Sequence, residues 1–132
     1  VTKDRDGRND LLNAIFSKDV ELSTSLLASD KFDIEEKDSN GFTALHAAAA
    51  SLLTDIVKIL IEKGADVNSI DAWGNPPIQR ALGNKPESSE IIEILLKSGA
   101  DIHILNGSGN SVASHVSKLK SHPNYEQLSS YL

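Results

Sequence analysis

A glycine-marked turn recurs along this chain at Gly7, Gly41, Gly74 and Gly109, with spacings of 34, 33 and 35 residues. The residues leading into each glycine share a pattern: Asp4-Arg5-Asp6-Gly7, Asp38-Ser39-Asn40-Gly41, Asp71-Ala72-Trp73-Gly74 and, more loosely, Asn106-Gly107-Ser108-Gly109. Glycine suits such a position because the turn requires positive φ, which a side chain resists. A fixed period of this length limits the chain to a repeat architecture. Each unit has an apolar side that it cannot bury alone, so neighbours must stack.

Between the turns, the apolar spacing is helical. In the first repeat it predicts helices over 9–16 and 20–28, with Leu11, Ala14, Ile15, Leu22, Leu26 and Leu27 facing inward. Ser17 or Asp19 can cap the second of them. The second repeat is the most regular. Ala47 to Ala50 form a small-residue stripe that lets helices approach closely, and Ile56, Val57, Leu60 and Ile61 form one apolar face. In the third repeat Pro77 opens a helix, where a first turn needs no N–H. A long polar turn, 83–89, then precedes a helix over 90–97. The fourth repeat keeps Val112, Ala113 and Val116, breaks at Ser121-His122-Pro123, and ends in a short helix over 124–132 that buries Tyr125, Leu128 and Leu132.

The second repeat resembles an ankyrin repeat. Thr43, Leu45, His46 and Ala48 stand in that family's signature, with Ala44 where the family has Pro, and Gly64-Ala65-Asp66-Val67-Asn68 closes the unit. Pro77 holds the same Pro position in the third repeat, Gln79 replaces the His, and Leu52 stands where the family has Gly between its helices. The resemblance covers nearly the whole chain and implies an all-α repeat solenoid. About four stacked helix-turn-helix repeats, over 4–37, 38–70, 71–105 and 106–132, would form one domain over 1–132. β-turn or hairpin-like fingers would project from them, and the degenerate terminal repeats would act as caps.

Composition excludes several functions. The net charge of −6 argues against nucleic acid and fits a basic protein partner. No apolar run is long enough to span a membrane. With no Cys there is no disulfide framework and no thiolate metal site. The chain starts at Val1 and lacks Met, so an upstream piece is expected to have been removed or left out. A monomer in the cytoplasm is favoured; a lost export signal would place it in the periplasm or outside.

No cofactor, metal or catalytic set is expected. His46, His103, His115 and His122 are dispersed, and no pair has helical i, i+4 spacing. The resemblance implies that His46 bonds backbone and Thr43. Asp66 and Asp101 belong to the repeat closures and are expected to bond nearby backbone. Gly107-Ser108-Gly109-Asn110 reads as a turn, lacking the Lys and strand of a phosphate loop.

A binding surface remains. In the ankyrin family the turn tips and an outward position on the first helix meet partner proteins. Carried over by position, these are Ser39, Asn40, Phe42, Ala47, Ala72, Trp73, Asn75, Arg80 and His115. Trp73 and Arg80 form the expected centre, since aromatics and Arg dominate interface hot spots. Asp38, Asp71 and Glu36 are expected to steer a basic partner. Repeats three and four also resemble small bacterial ankyrin proteins taken to be immunity proteins, which neutralise a toxin. That likeness lies in Asp71-Ala72-Trp73-Gly74-Asn75-Pro76-Pro77-Ile78, Arg80-Ala81, the longer loop and Glu90-Ile91-Ile92-Glu93-Ile94-Leu95-Leu96. The alternatives are a general scaffold, a fragment of a longer repeat protein, and an enzyme with its site in the groove.

Overall fold

The computed structural model describes residues 3–132. Its helices are α1 (Asp10–Phe16), α2 (Val20–Ala28), α3 (Ala44–Ala50), α4 (Thr54–Glu62), α5 (Pro77–Ala81), α6 (Pro86–Lys97), α7 (Val112–Ser117) and α8 (Tyr125–Leu128), with a short 3₁₀ turn over Ser129–Tyr131. Among the described residues there is no strand. The first helices pack as one row, α1 on α3 and α3 on α5; the second helices pack as another, α2 on α4 and α4 on α6.

Local chemistry sets the ends of these helices. Asn9, Thr43 and Ser111 each accept a backbone N–H with the side chain at an N-cap, from Leu12, His46 and Ser114. Asp19, not Ser17, caps α2. Pro77 and Pro86 open their helices, where their missing N–H costs nothing, and neither helix has a side-chain cap. At the C-terminus of α1, the N–H of Lys18 donates to Ile15 O and that of Asp19 to Ala14 O. Leu52 and Leu53 repeat these bonds on α3, Gly64 and Ala65 on α4, and Gly99 and Ala100 on α6. This closure needs a left-handed residue just past the helix. Glycine supplies it at 64 and 99, but Lys18 (φ +60) and Leu52 (φ +57) adopt it at some steric cost. Leu52 and Leu53 are both half-buried against the core.

The core runs through the stack between the two helix rows. Leu11, Ile15, Leu45, Ile56, Leu60, Ile78, Ile91, Ile92 and Leu95 are fully buried. Ala47, Ala48 and Ala49 are also fully buried, so the α3 backbone approaches α1 and α5 closely; Ala50, at the end of the stripe, is exposed. Leu22 and Leu132, expected inside, are exposed. Ile61 and Ile94 are only half-buried, at the rim of the outer row.

The third repeat differs most from expectation. Helix α5 has 5 residues, and Leu82 leaves it in an extended conformation. Helix α6 has 12 residues and begins at Pro86, so most of the polar stretch is helical, and Ser88 within it is buried. Proline at a first turn and good N-terminal helix residues after it make the longer helix cheaper than a solvated loop.

Candidate functional site

Four fingers are built to one plan. The first residue of each turn accepts two backbone N–H groups with one side-chain oxygen. Asp4 Oδ1 accepts from Asp6 and Arg8, Asp38 Oδ1 from Asn40 and Phe42, Asp71 Oδ1 from Trp73 and Asn75, and Asn106 Oδ1 from Ser108 and Asn110. These bonds hold the Asp4 carboxyl below its usual pKa, the bond from the Arg8 N–H contributing most. Successive fingers are then tied together through backbone. The N–H of Ser39 donates to Asp6 O, that of Ala72 to Asn40 O and that of Gly107 to Trp73 O, at 2.8, 2.9 and 2.9 Å. Gly41 and Gly74 serve both requirements at once. Each has positive φ, and a Cβ on either would lie within 3.0 Å of the next finger's backbone.

His46 anchors this array to the helices. It is fully buried; Nδ1 accepts from the Thr43 N–H at 3.3 Å and lies 3.0 Å from Thr43 Oγ1. With Nδ1 accepting, Nε2 carries the proton and donates to Asn75 O in the next finger at 2.8 Å. Burial pushes the His46 pKa below the ordinary histidine value. Asp66 and Asp101 likewise accept the N–H two residues on, from Asn68 and His103.

Phe42, Ala72, Trp73, Asn75 and Arg80 line one groove of about 500 Å³, together with Asn106, Gly107 and Ser108 of the next finger. Trp73 is 53% exposed, the only large aromatic ring in the groove so open to solvent. Its ring faces Phe42 at 6.0 Å between centroids, and the Arg80 guanidinium sits 5.1 Å from the Phe42 ring and 5.6 Å from the Trp73 ring. Arg80 Nε donates to Asp71 Oδ2 at 2.9 Å, and Nη2 donates to the same oxygen.

The remaining candidates are dispersed. Ser39 and Asn40 are exposed at the tip of the second finger. His115 is exposed in an adjoining recess with Gln79, whose Nε2 lies 3.2 Å from His115 Nδ1. Ala47 cannot touch a partner, because α3 is enclosed by its neighbours and Ala47 has no exposed surface. The expected steering carboxylates also fail. The side chains of Asp38 and Asp71 are wholly buried and paired with Arg8 and Arg80, while Glu36 takes Asn9 Nδ2 at 2.9 Å and pairs with Lys3. Asp38 and Asp71 serve turn geometry, and exposed charge lies elsewhere, including Glu21, Asp55, Glu87 and Glu90 on the second helices. Asn106, Gly107 and Ser108 were not among the expected site residues. The turn register contained the signal, since it places them one finger along from Trp73.

Among the described residues, no cluster of three or more His, Cys, Asp or Glu side chains could hold a metal. No helix there is long and apolar enough to cross a membrane.

The family model for ankyrin repeats, in three copies, matches residues 3–106. BCL-6 corepressor-like protein 1 from Homo sapiens is 42% identical over 67 residues, which cover 51% of this chain and 4% of that protein. The mitochondrial liver isoform of glutaminase from Rattus norvegicus is 43% identical over 74 residues, 54% of this chain and 12% of the enzyme. The serine/threonine-protein kinase VIK from Arabidopsis thaliana is 38% identical over 65 residues, 49% of this chain and 15% of the kinase. The chain therefore spans only a small part of each relative, and their activities as whole proteins do not carry over. Ankyrin repeats are protein–protein interaction modules, and that is what the likeness supports.

Proposed function

Because this chain belongs to the ankyrin-repeat family, we propose that it is a non-enzymatic module, one domain over 1–132, whose partner protein docks in the finger groove around Trp73. The observation that carries this proposal is the cluster of Phe42, Arg80 and Trp73, with Trp73 open to solvent. A large rigid ring offers contact area at little entropic cost, and Arg and Trp lead the residues found at hot spots. Ser39, Asn40, Ala72, Asn75 and His115 supply the surrounding contacts. The chain acts as a monomer in this proposal.

The test begins with partner capture on the immobilised chain and mass spectrometry. Trp73→Ala should then weaken binding by about 2 kcal/mol or more, roughly thirtyfold, without a large change in melting temperature. Arg80→Glu is a poorer probe, since it would place two carboxylates together at Asp71. Lys58→Ala and Lys97→Ala, on the outer face, are the controls. Normal binding by Trp73→Ala with loss in both controls would move the partner to the second helices.

One observation favours that second location for a basic partner, such as the toxin of a toxin–immunity pair. Glu90 and Glu93 of α6 line a groove of about 660 Å³ with Lys58, Lys97 and Ile94. Their pairings with Lys58 and Lys97 are long, 3.6 and 3.8 Å, and mostly exposed, so a cationic partner could compete for them. Glu90→Lys with Glu93→Lys should abolish capture of such a partner and leave a finger-groove partner unaffected.

A further inference from the structure

The groove at Trp73 has a polarity that neither net charge nor family resemblance reveals, and hydrogen-bond bookkeeping exposes it. Asn106 Oδ1 accepts from the N–H groups of Ser108 and Asn110, which fixes the orientation of that amide. Its Nδ2 must therefore be the donor in the 3.0 Å contact with Asn75, and Asn75 must present Oδ1. The Asn75 amide is thereby oriented in turn, with Nδ2 left over. Asn75 Nδ2 finds no acceptor among the described residues, nor does it belong to the buried unpaired atoms, so it faces solvent. The same holds for Arg80 Nη1, since Nε and Nη2 take Asp71. Ser108 Oγ, on an exposed residue, is also unpaired.

Most side-chain acceptor capacity along the groove is already occupied. Asp71 accepts from two backbone N–H groups and two guanidinium N–H groups and is wholly buried. Asn106 Oδ1 accepts two N–H groups and is full, and Asn75 Oδ1 has one of its two lone pairs taken by Asn106 Nδ2. What remains beside the exposed face of Trp73 is a set of donors, with Arg80 carrying the only formal charge among the groove-lining side chains. A lysine or arginine of a partner would be desolvated there beside the Arg80 charge, with only the second lone pair of Asn75 Oδ1 and one hydroxyl as side-chain acceptors, which is costly. A carboxylate would meet charge-assisted donors, while its methylene stem lay on the indole.

We infer that the groove receives an acidic side chain, the carboxylate of a partner's Asp or Glu, bonded by Arg80 Nη1, Asn75 Nδ2 and Ser108 Oγ. This rests on the docking site proposed at Trp73. It also separates the local chemistry of the site from the chain's overall charge of −6.

A random-peptide phage library panned on the full chain tests the assignment. Asp or Glu should be enriched at one peptide position. Synthetic peptides from the selection should bind Asn75→Asp at least tenfold more weakly, because that substitution keeps the acceptor for Asn106 and replaces the free donor with negative charge. Ser108→Asp, on an exposed turn, should weaken them likewise and provides a second variant should Asn75→Asp fold poorly. Enrichment of Lys or Arg, no enrichment, or acidic peptides that bind both variants at full strength would each overturn the inference. If basic peptides are selected and Trp73→Ala abolishes their binding, the docking site stands and only the carboxylate assignment falls. If acidic peptides bind Trp73→Ala normally, the docking site itself is wrong.

Discussion

Asp71 links the fold to the groove, and substituting it separates two kinds of bond. Its Oδ1 accepts the N–H groups of Trp73 and Asn75, and its Oδ2 takes Arg80. Asp71→Asn should retain the turn, because Asn106 forms the same two backbone bonds in the fourth finger. It should lose the ion pair. A hydrogen bond to a charged group contributes about 1.5–3 kcal/mol. The Arg80 side chain is 28% exposed, so solvent screening reduces this to about 1 kcal/mol. Asp71→Ala also strands two backbone donors, at about 1 kcal/mol each, so its total cost should be about 3 kcal/mol. In a chain of this size that corresponds to a fall in melting temperature of roughly 10 °C, against about 3 °C for Asn. Urea unfolding followed by far-UV circular dichroism measures both values, and Trp73 fluorescence reports on the finger beside them. Equal losses for Asn and Ala would show that the ion pair, not the turn, dominates. A loss under 1 kcal/mol for Ala would refute the account of the finger altogether.

Leu60→Ala should lower stability by about 2–5 kcal/mol, whereas half-buried Ile94→Ala should cost about 1 kcal/mol; denaturant midpoints check both. Ser88→Leu should destabilise by about 1–3 kcal/mol because Ser88 is buried in α6, while Gly or Ser at exposed Asn84 and Lys85 should change little on the same assay. For pH, burial lowers the pKa of His46 in the folded chain, so below about pH 6.5 the unfolded chain binds the additional proton. Stability should therefore be complete above that pH and fall as pH drops through it; His46→Gln should flatten the decline in melting temperature between pH 7 and 5. His122 is lowered by burial and by His115, so part of the slope should persist in that variant and vanish on adding His122→Gln.

Period and helix ends were legible in the chain because they depend on neighbours in sequence. A turn glycine, a Thr or Asn at an N-cap and an apolar i, i+4 stripe act within a few residues. The bonds of Asp66 and Asp101 follow from that locality, whereas His46 reaches Asn75 across 29 residues and its role came from the family resemblance. Helix α6 starts at Pro86, earlier than its sequence suggests, since a run of Ser and Glu suits a loop or a first turn equally. Burial was less legible. Ala47 occupies an outward family position, yet it is enclosed, because exposure depends on how closely α1 and α5 approach α3.

The groove divides in the same way. The sequence, through its family resemblance, put Phe42, Trp73 and Asn75 at turn positions and Arg80 on the adjoining first helix, so that an aromatic, cationic surface was expected along the fingers. Only the tertiary structure decided what each polar atom does there. Asp71 is spent on its own turn and on Arg80, and the Asn106 amide fixes the Asn75 amide across 31 residues of chain. Net charge is a sum over the whole chain, but the polarity of a site is set by which donors and acceptors remain after internal pairing. That pairing is a matter of distances of about 3 Å between fingers, and composition does not contain them.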